Sequence, residues 1–174
     1  MNGHHLKTTQ CEKDLGVQFD ESLKFDTHIN SIINKANRVL GIVRKTFECL
    51  DKEIFNYVYK GLIRPHLEYA APVWSPYRVM QKEALENVQR RATRMVPGLS
   101  HLSYPDRLEA LKLPTLAYRR ARGDMINVYK IVEAGQKGEL DDSILSMLPL
   151  NKRISRGNEK KFFIEHFVLS LDIL

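Results

Sequence analysis

The chain has 174 residues, 43% of them hydrophobic, enough for one ordinary domain with a continuous core. No run approaches the roughly 20 apolar residues of a membrane helix, and the N-terminus has neither a basic region nor an apolar signal core, so composition points to an intracellular, non-membrane chain in nucleus or cytoplasm. The formal charge of +6 is unevenly spread: residues 1–27 carry three basic and five acidic side chains, residues 28–134 eighteen and ten, and residues 135–174 six and six, giving −2, +8 and 0. The surplus falls where helices are expected, as a nucleic-acid-facing surface needs, although solvated helix faces carry surplus Lys and Arg too. Cys11 and Cys49 lie far apart in a chain without secretory features and read as reduced thiols. Neither has a partner at zinc-ligand spacing, and His4-His5 reads as a chain end rather than a ligand pair.

In chain order, the first element is a strand or hairpin, because Lys13 to Phe25 alternates Leu15, Val17 and Phe19. Asp26 and Thr27 each offer a helix cap. After them Ile29, Ile32, Ile33, Ala36, Leu40, Val43 and Phe47 recur at steps of three and four, predicting a long amphipathic helix with Lys35, Arg38, Arg44 and Lys45 on its other faces. Asp51 offers the next N-cap, ahead of a second stripe of Ile54, Phe55, Val58, Tyr59, Leu62 and Ile63. Pro65 predicts a kink or break near Arg64, since proline donates no backbone hydrogen bond and clashes with the preceding turn. His66 has no Asp or Cys motif beside it and reads as structural or solvent-facing. Trp74, between Pro72 and Pro76, has two readings: burial among Ala70, Ala71 and Val73, and base stacking of the kind aromatic platforms provide.

A third helix is expected over about Met80 to Val96, with Ala84, Leu85, Val88, Ala92, Met95 and Val96 inward. Arg90, Arg91 and Arg94 project from its C-terminal half, where cations complement the helix dipole and where guanidinium forks also suit phosphate. Pro97-Gly98 stops that helix, and Ser103 caps a short one through Leu111. Thr115 caps the last, whose apolar side is expected to be Ala117, Tyr118, Ala121, Met125, Val128, Tyr129 and Val132, with Arg119, Arg120 and Arg122 as a basic shoulder. Gly123 inside that pattern suggests close helix packing. From Gly135 to Pro149 the sequence reads as a linker. Asp141-Asp142 within it has no strand-like flanks and reads as a solvated loop, not a metal site, while Lys152 to Arg156 is a short basic stretch.

Three segments resemble a known family in order and spacing: Arg64-Pro65-His66-Leu67-Glu68-Tyr69, Trp74-Ser75-Pro76-Tyr77 and Gln89-Arg90-Arg91-Ala92-Thr93. They are similar to the region just after the polymerase core of LINE-type (non-LTR) retrotransposon reverse transcriptases, especially the chicken-repeat/jockey-like group. Glu12 to Val17 with Leu23-Lys24-Phe25, Lys35 to Gly41, Pro97-Gly98-Leu99, Leu102-Ser103-Tyr104, Arg107-Leu108 and Tyr118 to Asp124 extend the resemblance over roughly Glu12 to Val132. Beyond that it thins to Ser155-Arg156-Gly157 and Lys161-Phe162-Phe163, and Phe167 to Leu174 departs from it.

The resemblance implies a mainly α fold: residues 1–26 as the residual end of a palm, 27–134 as a helical thumb-like and post-thumb domain, and 135–174 as a linker and truncated basic tail. In the family, paired palm aspartates hold two Mg²⁺ ions against the nucleotide phosphates. Those segments precede the element that Leu15-Gly16 resembles, so this chain by itself is expected to hold no Mg²⁺ or other cofactor and to incorporate no nucleotides. It is expected instead to hold template–primer RNA, DNA or RNA–DNA hybrid beside an upstream palm. Arg90, Arg91, Arg94, Arg119, Arg120 and Arg122 are then the phosphate contacts, with Trp74 as a further base-stacking candidate. A non-enzymatic helical interaction domain and a non-functional element relic are the alternatives.

Overall fold

The computed structural model describes residues 9–47 and 49–137. It is mainly helical, with one two-stranded antiparallel sheet near the N-terminus. Strand β1 (Cys11–Asp14) pairs with β2 (Val17–Asp20) in a register that sets Asp14 opposite Val17. The two-residue turn between them holds Leu15 at φ 44° and Gly16 at φ 88°, the pair of positive values a tight hairpin needs to match strand twist. Leu15 is therefore an exposed turn residue, and only Val17 of the expected Leu15–Val17–Phe19 alternation is fully buried. Tyr69 secures the turn: its hydroxyl donates to the Leu15 carbonyl at 2.9 Å, and its ring edge would lie 3.4 Å from a Cβ at Gly16.

The passage into helix α1 (Asp26–Thr46) is organised by Asp20, not by the expected caps. Its carboxylate accepts from the backbone N–H of Ser22 (3.0 Å), Lys24 (3.2 Å) and Phe25 (2.8 Å) and from the Ser22 hydroxyl, contacts that hold its pKa below the usual carboxylate value, the hydroxyl contributing most. Phe25, at φ 57°, takes the N-cap position without a side-chain bond, and Asp26 instead accepts from Arg78 and Gln81 across the fold. Helix α1 buries Ile29, Ile32, Ala36 and Val43 with Ile33 and Leu40 partly covered, much of the expected stripe, plus His28. Phe47 lies past the helix end.

Asp51 caps α2 (Lys52–Val58), accepting from the Ile54 N–H at 2.8 Å. The chain then widens into one π-helical turn (Tyr59–Ile63), closed by the Arg64 N–H on the Tyr59 carbonyl, before α3 (Arg64–Glu68). Pro65 thus sits in the first turn of α3, where its missing N–H is tolerated, and helical structure continues through the expected break until Tyr69 and Ala70. The wide turn also decides which residues are buried. Phe55, Tyr59, Ile63 and Leu67, spaced by four, would drift around an α-helix of 3.6 residues per turn, and the extra residue keeps all four on one face. Leu62, expected on the stripe, is consequently 52% exposed.

After α4 (Ala71–Trp74), helix α5 (Val79–Thr93) packs along α1, and α6 (Tyr104–Leu111) follows. Ser103 caps α6 through the Asp106 N–H, and Lys112 closes it at φ 52° while the Leu113 N–H reaches back to the Leu108 carbonyl at 2.9 Å. Thr115 accepts from the Tyr118 N–H at the start of α7 (Leu116–Gln136). The chain divides into two compact units, residues 1–124 and residues 125–174. The hairpin belongs to the first, where Val17 joins the helices' core. Of the second, the C-terminal part of α7 is described, with Val132 buried and Met125 and Tyr129 exposed. The expected linker and tail, with Asp141-Asp142, Lys152 to Arg156 and most of residues 135–174, lie outside the described residues, as do His4 and His5.

In the first unit α7 turns a different face inward from the one expected. Ala117, Tyr118 and Ala121 are exposed, while Leu116 and Arg120 are buried. The phase is set where the helix begins, because the Leu116 N–H is held by the buried Glu86 carboxylate. Gly123 is not a close-packing site, since an added Cβ would meet nothing within 4 Å.

Candidate nucleic-acid interface

Helices α1 and α5 pack side by side, and a groove of about 710 Å³ opens where their C-terminal halves approach. Arg44 of α1 lines it together with Arg91 of α5 and Arg94 just past that helix's end. Asn37, Leu40, Gly41, Phe47, Leu50, Met95 and Pro97 complete the lining, so among the described residues no carboxylate is part of it. Arg44, Arg91 and Arg94 are exposed and make no ion pair among the described residues. The Arg91 Nε donates to the Asn87 carbonyl at 3.4 Å. Three guanidinium groups around one concavity, with no ion pair among the described residues, are equipped to bind phosphate oxygens in forked pairs.

The six arginines singled out from sequence separate sharply. Arg91 and Arg94 line the groove, and Arg44 joins them from a helix where it had read only as a charge on an outer face. Arg90 is already engaged: its guanidinium donates to Glu83 at 2.8 Å and Asn87 at 3.1 Å and lies 5.1 Å from the Tyr104 ring centre. Arg119 forms a two-pronged pair with Glu68, its second bond at 3.0 Å, and this pairing raises its pKa. Arg64 adds a 3.6 Å contact to the same carboxylate. Arg120 is only 7% exposed, and burial pushes its pKa down against the charges of Glu86, Glu68 and Asp124. Its guanidinium therefore faces no approaching phosphate. Arg122 is exposed on α7 but does not line the groove. Trp74 is 1% exposed, with its indole N–H on the Tyr69 carbonyl at 2.7 Å and its ring edge-on to His28. It offers no face to a base.

What the motif residues build instead is a buried polar network. The Gln89 amide accepts from the Tyr59 hydroxyl and donates to Tyr104 (3.1 Å) and to the Pro114 carbonyl (3.0 Å). Tyr104 in turn donates to Glu86, whose carboxylate also accepts the Leu116 N–H at 3.1 and 3.3 Å. Burial raises the pKa of both tyrosines, so they remain hydroxyl donors at any physiological pH. Arg107, nearly enclosed, donates to Thr93 at 3.1 Å and the Leu102 carbonyl at 2.6 Å. These bonds satisfy polar groups that would otherwise be costly to bury, and they hold α5 and α6 at fixed angles beside the groove. Hydrophobic periodicity did not reveal Glu86, Gln89 or Thr93, although helical spacing to Leu85, Val88 and Ala92 puts them on the inward face.

Among the described residues no three His, Cys, Asp or Glu side chains gather as a metal site, and no helix is long and apolar enough to cross a membrane. No family model, curated protein or solved structure matches this chain.

Proposed function

We propose that the chain is a nucleic-acid-holding helical region of a LINE-type reverse transcriptase, gripping template–primer through its phosphate backbone in the groove between α1 and α5. One observation carries the reading: Arg44, Arg91 and Arg94 converge on a groove whose lining, among the described residues, includes no carboxylate. The family part rests on the motif residues, several of which meet in the Tyr59–Gln89–Tyr104–Glu86 network and the Arg119–Glu68 pair. Chemistry on nucleotides belongs to an upstream palm with its own carboxylates and Mg²⁺, and this region contributes position and charge.

The test is fluorescence anisotropy of a labelled RNA–DNA hybrid titrated with the full chain at several salt concentrations. Binding is expected with little sequence preference and a steep loss with salt, as counterions return to the nucleic acid. Changing Arg44, Arg91 and Arg94 together to Gln should flatten the log–log salt slope by about two to three units, near one per lost phosphate contact. Arg64→Gln, outside the groove, should leave it unchanged. A triple variant that stays folded by circular dichroism and keeps the wild-type slope refutes the assignment. The exposed Tyr118 and Ala121 on α7 would then favour a protein-interaction domain, the second reading.

A further inference from the structure

A surface that only grips duplex backbone needs cations and little else, because a duplex keeps its bases in the stack and presents phosphate outward. The α1/α5 groove has more. Leu40, Phe47, Leu50, Met95 and Pro97 give it an apolar wall and floor, and Phe47 is 37% exposed just past the end of α1. Asn37 also lines it, with a side-chain oxygen that is buried and has no hydrogen-bond partner among the described residues. At about 710 Å³ the space lies within the roughly 300–1,000 Å³ range of pockets that enclose a small molecule, the size class of one nucleotide.

We infer that the groove takes a single-stranded segment of nucleic acid, with one unpaired base inserted against Phe47 and Met95 and its flanking phosphates held by Arg44, Arg91 and Arg94. The inference rests on the nucleic-acid reading above and deepens it. Apolar wall and exposed cations together match the two halves of a nucleotide, a planar ring with π-faces and an anionic linkage, whereas cations alone match any polyanion. An acidic peptide would satisfy the arginines yet leave the wall without a planar partner.

Gly41 supplies a test that spares the fold. It lines the groove, and an added Cβ there would meet nothing within 4 Å, so Gly41→Leu places bulk in the groove on a helix that gains propensity from losing glycine. Three labelled probes of equal length are compared by anisotropy with the full chain: a single strand, the same strand with abasic linkages, and a blunt duplex. The single strand should bind at least about five-fold tighter than its abasic counterpart, the lower end of what one stacked base contributes. Gly41→Leu and Phe47→Ala, both at the groove lining, should each bring the ratio of single-strand to abasic affinity close to one, whatever they do to the affinity for the duplex.

Equal affinity for the three probes, unaffected by either variant, overturns base insertion but leaves backbone gripping standing. A ratio that stays above about five-fold in both folded variants also overturns it, because the base is then held somewhere other than the Gly41–Phe47 side of the groove. Polyglutamate displacing the single strand as well as an unlabelled copy does, at equal charge, would assign the groove to an acidic peptide and overturn both readings.

Discussion

Replacing Glu86 by Gln keeps the side chain's size and changes only what its head can do. In the folded protein both carboxylate oxygens are used: the Leu116 N–H is shared between them at 3.1 and 3.3 Å, and Tyr104 donates to one. Gln retains a single acceptor oxygen: placed where Tyr104 donates, it meets the Leu116 N–H only at the longer 3.3 Å contact, and its N–H₂ group stands where the 3.1 Å acceptor was. A hydrogen bond to a charged group is worth about 1.5–3 kcal/mol. The negative charge at the start of α7 contributes about 0.3–1 kcal/mol more through the helix dipole. The buried Arg120 also loses one of the carboxylates that offset its burial. The terms overlap, and a combined loss of about 2–4 kcal/mol is expected, a large share of the 5–15 kcal/mol typical of a domain. Urea unfolding followed by circular dichroism should show a lower midpoint at unchanged slope. Tyr104→Phe should cost less alone and add less than its own cost on top of Glu86→Gln, because the two share a bond. A Glu86→Gln variant within about 0.5 kcal/mol of wild type, the range of ordinary surface changes, would refute the network as a source of stability.

Ile63→Ala should cost about 2–5 kcal/mol as a core cavity while the adjacent Leu62→Ala stays within about 0.5 kcal/mol, measured by the same unfolding curves; equal losses would show that the π turn does not set the buried face. Gly123→Ala should raise stability by about 1 kcal/mol, read as a higher thermal midpoint, since the site is helical and roomy; a lower midpoint would mean a neighbour is closer than the structure has it. His28 makes stability depend on pH. Burial, helped by Lys35, depresses its folded pKa below 6.5, and its Nδ1 accepts the Gln18 N–H, which a protonated ring cannot do. The unfolded chain therefore binds the extra proton, and stability is complete above about pH 6.5 and falls as pH drops below it. Thermal midpoints should decline from about pH 7 to pH 5 less steeply in His28→Gln than in wild type, and parallel declines would exclude this histidine as the cause.

How far the sequence foretold these features depended on the range of the interaction behind them. The caps at Asp51, Ser103 and Thr115 were legible because each needs one side-chain oxygen and an N–H three residues on. The α1 stripe was legible for the same local reason. The inward face of α7 was not, because its phase is fixed by Glu86, thirty residues earlier in the chain. Periodicity counted Tyr118 and Ala121 as core and had no means of counting Arg120. Of the candidate site, Arg91 and Arg94 could be read from α5 alone, whereas Arg44 enters only once α1 packs alongside. The burial of Arg120 and the Glu68 pairing of Arg119 follow from contacts that no spacing rule encodes.

The wide turn at Tyr59–Ile63 has a consequence for how this segment tolerates changes of length. Removing one exposed residue there, such as Leu62, would convert the buried spacing from 4-4-4 to 4-3-4, which an ordinary α-helix accommodates on one face. A one-residue deletion inside α5 has no such reserve and would rotate everything after it by about 100°. The obstacle in the first case is Pro65, which the wide turn currently leads into; in a continuous α-helix its ring would press on the carbonyl one turn back. The surplus residue and the proline thus compensate each other, and a chain lacking one is best served by lacking both.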